Sequence, residues 1–285
     1  MRERGFTLVE LVISIALMAV VGGFGVLILR GPLQSQQAQS LRAAVSGSVG
    51  SVQQNLRTVL ADALPGSVRV VSNGSVVAVE LLQVEARLRL RSAAPPADPA
   101  GLLDLLAVDS SFDIVRASPG LALPLDTTSR YLAIGHTGLP GQSAWQLVNV
   151  ISAPGTRIQL SPTATVGEWR ATLTPGVRYA RMPTSAEAYL ITGPQTLLCD
   201  RRAGTLSLYS GYSIAANQAN RDSAAELLAA GATATLLATQ LTACTARLAT
   251  APSPASPTIV QMNLTMTRGG ESMTGTAAAA IEAAT

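Results

Sequence analysis

From residue 6 to residue 29 the chain is apolar and carries a single charge, Glu10. A run of about 24 residues reaches roughly 36 Å as a helix, enough to span a bilayer. A carboxylate inside such a run costs kcal/mol at mid-bilayer and usually marks function. Arg2 and Arg4 precede the run and Arg30 follows it. An ordinary secretory signal has a shorter apolar core with a small-residue cleavage site beyond it, and residues 31–36 offer no such site. Apolar residues then recur in steps of mostly three and four: Leu41, Val45, Val49, Val52, Leu56, Val59 or Leu60, and Ala63, led by Leu33. That spacing predicts one amphipathic stripe, and with the apolar run a single helix over about 6–63, roughly 87 Å long if unbroken. Gly22, Gly23, Gly25, Gly31 and Pro32 weaken it near the end of the apolar run, and Gly47 and Gly50 weaken it again later. Leu64-Pro65-Gly66 ends it.

The pattern changes period after residue 66. Val-rich runs at 67–72 and 75–82 flank Asn73-Gly74, the turn pair favoured in tight hairpins. Over 84–91 charged Glu85, Arg87, Arg89 and Arg91 alternate with Ala86, Leu88 and Leu90. Further strands are expected at 112–115, 131–134, 145–151, 157–160, 188–191, 196–200, 205–209, 236–248 and 258–267. A last one near 272–279 pairs back across Arg268-Gly269-Gly270-Glu271. Residues 223–230 suit a short helix; 93–100 and 251–257 read as Pro-containing loops. The expected fold class is α+β: a long N-terminal helix packed on an antiparallel β-rich head. The divisions are a leader at 1–5, a transmembrane or filament-core helix at 6–30, an amphipathic helix at 31–64 and the head at 65–285.

Composition narrows the function. Aromatic residues make up 4% and charged residues 13%, while every basic side chain is Arg. A net charge of +3 argues against a protein that coats nucleic acid. The Arg87, Arg89 and Arg91 face, with Arg69 beside it, offers a grip for DNA phosphates or an acidic partner, but such a strand is more often a solvated face and Glu85 dilutes this one. His136, between Gly135 and a Thr137-Gly138 pair, reads as an exposed turn residue. With no Gly-x-Ser-x-Gly elbow, a hydrolase has little support. Asp104, Asp109 and Asp113 form a loose acidic cluster without the spacing of a calcium loop. Trp145, Tyr209 and Tyr212 read as core or rim aromatics. No cofactor, metal site or catalytic group is expected.

The basic leader, the Gly5-Phe6 junction and Glu10 five residues into the downstream segment together resemble a type IV prepilin. The resemblance implies cleavage between Gly5 and Phe6 by a prepilin peptidase and N-methylation of Phe6. Glu10 would then meet the charged amine of a neighbouring subunit's Phe6, which offsets desolvation and sets the stagger between subunits. It also implies an inner-membrane protein with a periplasmic head before assembly, and a pilus subunit at the cell surface afterwards. Partners would be other major and minor pilins, the peptidase and the inner-membrane assembly platform. In that exported compartment Cys199 and Cys244 are expected to pair, stabilising the fold by about 4 kcal/mol. Two Cys and one His supply too few ligands for a metal.

Several later segments, in order, resemble the MshO-type minor pilins of the mannose-sensitive haemagglutinin (MSHA) pilus system. They include Ala63-Leu64-Pro65-Gly66-Ser67-Val68-Arg69-Val70, Val79-Glu80-Leu81-Leu82, Ser111-Phe112-Asp113-Ile114, Leu198-Cys199-Asp200, Leu241-Thr242-Ala243-Cys244 and Leu264-Thr265-Met266-Thr267-Arg268-Gly269-Gly270-Glu271. The strand at 76–80 lacks a cysteine expected in many relatives. This resemblance implies a non-enzymatic subunit that initiates assembly or forms the filament tip. A J-type-like pseudopilin of type II secretion, and a tip adhesin or DNA-binding subunit, stand as alternatives.

Overall fold

The computed structural model describes residues 7–93, 101–249 and 257–281, with residues 25–34 as helix backbone only. The first element is a helix, α1 (Leu8–Ala61), of 54 residues. Thr7 caps it, its Oγ1 accepting from the Glu10 backbone N–H at 3.3 Å, which satisfies one of the helix's otherwise unpaired donors. α1 continues across the Gly22–Pro32 stretch where weakening was expected. One missing donor at Pro32 and scattered glycines remove a small part of a ladder this long. Gly22, Gly23, Gly47 and Gly50 all face open space, so nothing there forces a bend.

The described strands are β1 (Arg69–Asn73), β2 (Val76–Leu90), β3 (Asp109–Ala117), β4 (Leu125–Thr127), β5 (Tyr131–Ile134), β6 (Arg157–Pro162), β7 (Trp169–Val177), β8 (Glu187–Asp200), β9 (Thr205–Ser210), β10 (Thr233–Ala238), β11 (Leu241–Ala249), β12 (Thr258–Arg268) and β13 (Glu271–Ile281). A short helix, α2 (Ala224–Ala229), is capped by Ser223 where a helix was expected. β10-β9-β8-β2-β3-β7-β6-β4 form one antiparallel sheet, with β1 on β2 and β5 on β8; β11-β12-β13 form a second. The architecture is α+β: an N-terminal helix followed by a large antiparallel β-rich region.

The β1–β2 hairpin turns at Asn73-Gly74 as expected, with Asn73 opposite Val76. β12 and β13 likewise pair from Arg268 opposite Glu271. Three readings need correction. The runs at 75–82 and 84–91 are one strand, β2, whose pairing with β8 slips around Gln83–Ala86, so a bulge absorbs the break in alternation. The run at 236–248 is two strands in two sheets, divided at Gln240, which has a φ of 62°. Residues 145–151 are not a strand. Ala144–Gln146 is a 3-10 turn, and only Ile151 bridges to Ala133.

The rear of α1 lies on β12 and β13. Val45, Val49, Val52, Leu56 and Leu60 are buried in one core with Val79, Leu197, Val260 and Met262. At Gly275 the approach is so close that a Cβ would stand 2.3 Å from Val49 Cγ1, which only glycine avoids. Beside it Gln53 Nε2 donates to the Thr276 carbonyl at 2.8 Å, and Arg42 pairs with Glu271 at 2.9 Å. A second core gathers around Phe112, Ile114, Leu132 and Tyr179.

Candidate assembly and processing region

Gly5 and Phe6 lie outside the described residues. Glu10 occupies the first turn of α1, where a carboxylate complements the positive end of the helix dipole. Its carbonyl accepts from Ser14 Oγ at 2.7 Å, and its residue is exposed. Around it Leu8, Val9, Leu11, Val12, Ile13, Ile15, Leu17, Met18, Val20, Val21 and Phe24 are all exposed. One acid on an otherwise greasy rod is chemically equipped to accept a cation while the surrounding surface seeks apolar cover. Among the described residues, no helix is long and apolar enough to cross a membrane. The described side chains of the apolar run stop at Phe24, so part of the expected span lies outside them.

Cys199 on β8 and Cys244 on β11 come together across the seam between the sheets. Both are buried and both are free thiols, so the expected bond is not present in the structure. They share a hydrogen bond, and this contact first, with burial second, pushes the Cys244 thiol up from its ordinary range.

The other candidate residues resolve into structural roles. Arg69 donates to Glu80 at 2.7 Å and to the Ala215 and Ala216 carbonyls, and stacks 3.7 Å from the Trp145 ring centroid. Arg91 is held by Asp113 and Glu168, which takes it out of the expected basic face. Asp113 also accepts from Arg170, while Asp104 and Asp109 cap backbone N–H groups of their own loop. Among the described residues no group of three metal-ligating side chains forms. Trp145, Tyr209 and Tyr212 are buried.

His136 corrects the expectation of exposure: it is only 3% exposed. Its glycines do form a turn, but Ala144 N–H donates to Nδ1 at 3.0 Å and draws the ring inward. Nε2 finds no partner, and burial lowers the ring's pKa to about 4.

Reasoning from sequence missed a buried polar cluster at Glu80. Tyr212 Oη donates to Glu80 at 3.0 Å and stands 2.5 Å from Thr196 Oγ1. Burial raises the Glu80 pKa, against the pull of Arg69. Burial, with the Glu80 charge behind it, also pushes the Tyr212 hydroxyl up. The signal was present: the Asn73-Gly74 hairpin places Arg69 opposite Glu80.

Residues 1–26 match the family model described as the Prokaryotic N-terminal methylation motif. The chain therefore carries a type IV prepilin-like N-terminus. No curated protein and no solved structure is significantly similar to the chain.

Proposed function

We propose that this chain is a minor type IV pilin of an MSHA-like pilus, a structural and non-enzymatic subunit that starts filament assembly or sits at its tip. The supporting observation is the methylation motif over residues 1–26, running into a helix whose front is apolar, exposed and marked by Glu10. In this reading the peptidase cuts between Gly5 and Phe6, Phe6 is N-methylated, and 6–29 holds the precursor in the inner membrane until neighbouring pilin helices replace lipid. Cys199 and Cys244 join once the head reaches the periplasm, tying β8 to β11. The large β-rich head suits a subunit that caps a filament.

Mass spectrometry of the native protein tests the reading: a product beginning at methylated Phe6 is expected, and a retained leader would overturn it. Co-purification with other minor pilins, against co-purification with secretion pseudopilins, separates the pilus role from a J-type-like role in type II secretion.

A further inference from the structure

The large sheet matches charges across its strands with one exception. Arg69 faces Glu80 and Arg170 faces Asp113 in register, and each pair is bonded. Arg89 on β2, however, stands directly opposite Arg116 on β3. Both are exposed, and none of the ion pairs among the described residues engages either of them. Like charges directly opposite on neighbouring strands oppose folding. The acid facing Arg89 from the other side, Glu187, instead accepts from Tyr189 Oη at 3.0 Å.

The two guanidinium groups do not merely project into solvent. With Arg87, Ser118, Pro119 and Glu187 they line a concavity of about 190 Å³. Ser118 fixes one wall, its Oγ accepting from the Arg87 N–H at 2.9 Å and its own N–H donating to the Arg87 carbonyl. Leu88 and Leu90 anchor the strand in the core beneath. The strand beneath is therefore fixed, and the register sets the two arginines opposite each other above it.

We propose that the Arg89–Arg116 concavity is an oxyanion site that takes one phosphate-type group. Guanidinium forks match the geometry of a tetrahedral oxyanion, and the charge of such a group cancels the repulsion between two opposed arginines. The extent of the site limits the ligand. Glu187 at its edge and Glu85, bound to Arg130, close off the basic surface, so a single group fits and a long polyanion has no track to follow. The site lies on the head and stands independently of the pilin reading.

The test is titration of inorganic phosphate into the full-length protein in neutral detergent, with chloride at equal ionic strength as the control, read by calorimetry and by the thermal midpoint. Phosphate is expected to bind and to raise the midpoint where chloride does not. Arg116→Gln and Arg89→Gln should each weaken phosphate binding by about tenfold or more. Arg116→Gln should also raise the midpoint without phosphate, because it removes the repulsion. Arg247→Gln, an exposed change on β11, should leave both unchanged. No phosphate response beyond that of chloride, or equal responses in the wild type and both site variants, would overturn the proposal.

Discussion

The front and the rear of α1 are built from the same kinds of residue and end in opposite environments. Over 8–24 the apolar side chains are exposed all round the helix, whereas from Val45 to Leu60 one stripe is buried and Ser, Gln and Arg fill the other faces. The rear finds its cover inside the chain, on β12 and β13; the front has none among the described residues. Apolar surface of that extent favours cover, which in the proposed function lipid or neighbouring pilin helices supply. The contrast separates a part of the helix that stabilises the head from a part to which the proposed function assigns anchoring and assembly.

Four experiments sharpen that division. The largest effect is expected at the seam between the sheets: oxidising Cys199 and Cys244 should stabilise the head by about 4 kcal/mol, and Cys244→Ala should abolish the gain. Denaturation with and without reductant measures it. Next, Leu56→Ala in the rear should cost about 3 kcal/mol by urea melting, because the site is fully enclosed. Leu17→Ala in the front should leave the same melt unchanged and weaken membrane retention instead.

Acid should act on the head alone. His136 stays neutral in the fold until about pH 4, while in the unfolded chain it titrates at its ordinary value of 6.5. The unfolded chain therefore takes up the proton first. Stability is complete above pH 6.5 and falls by roughly 2–3 kcal/mol as the pH drops to about 4. Glu80, whose pKa is raised, works in the opposite sense, so the comparison is made against His136→Gln, which should flatten the His136 part of the slope. The smallest effect on stability belongs to Glu10→Ala. It should leave the head's melt and the membrane insertion unchanged while lowering incorporation into filaments, counted by microscopy.

How much was legible in the sequence depended on how local the cause was. The stripe from Val45 to Leu60 and the turns at Asn73-Gly74 and Gly269-Gly270 are set by residues a few positions apart, and they were found. β7 was missed, and its Pro175 and Gly176 are the residues that make it irregular. They sit where its pairing with β3 slips, and a Cβ on Gly176 would stand 2.8 Å from the Asp109 carbonyl oxygen. His136 was misplaced because its burial follows from the Ala144–Gln146 turn folding over it, a contact no spacing reveals. The division at Gln240 depends on which sheet each half joins, and that is decided by distant strands. For the candidate site, the N-terminal motif was legible because its leader, the Gly5-Phe6 junction and Glu10 lie within a few residues of one another. The facing arginines were not, since Arg116 meets Arg89 only through the register of β3.

The close approach at Gly275 has a consequence for biogenesis. The cradle for the rear of α1 is made by β12 and β13, the described strands that a ribosome delivers latest. Until they emerge, a greasy seam some four turns long is incompletely covered, and the rod and the head seat fully only after both strands have left the ribosome. A ribosome that stalls before β13 would leave the rod without its most extensive contact, a natural substrate for quality-control proteases.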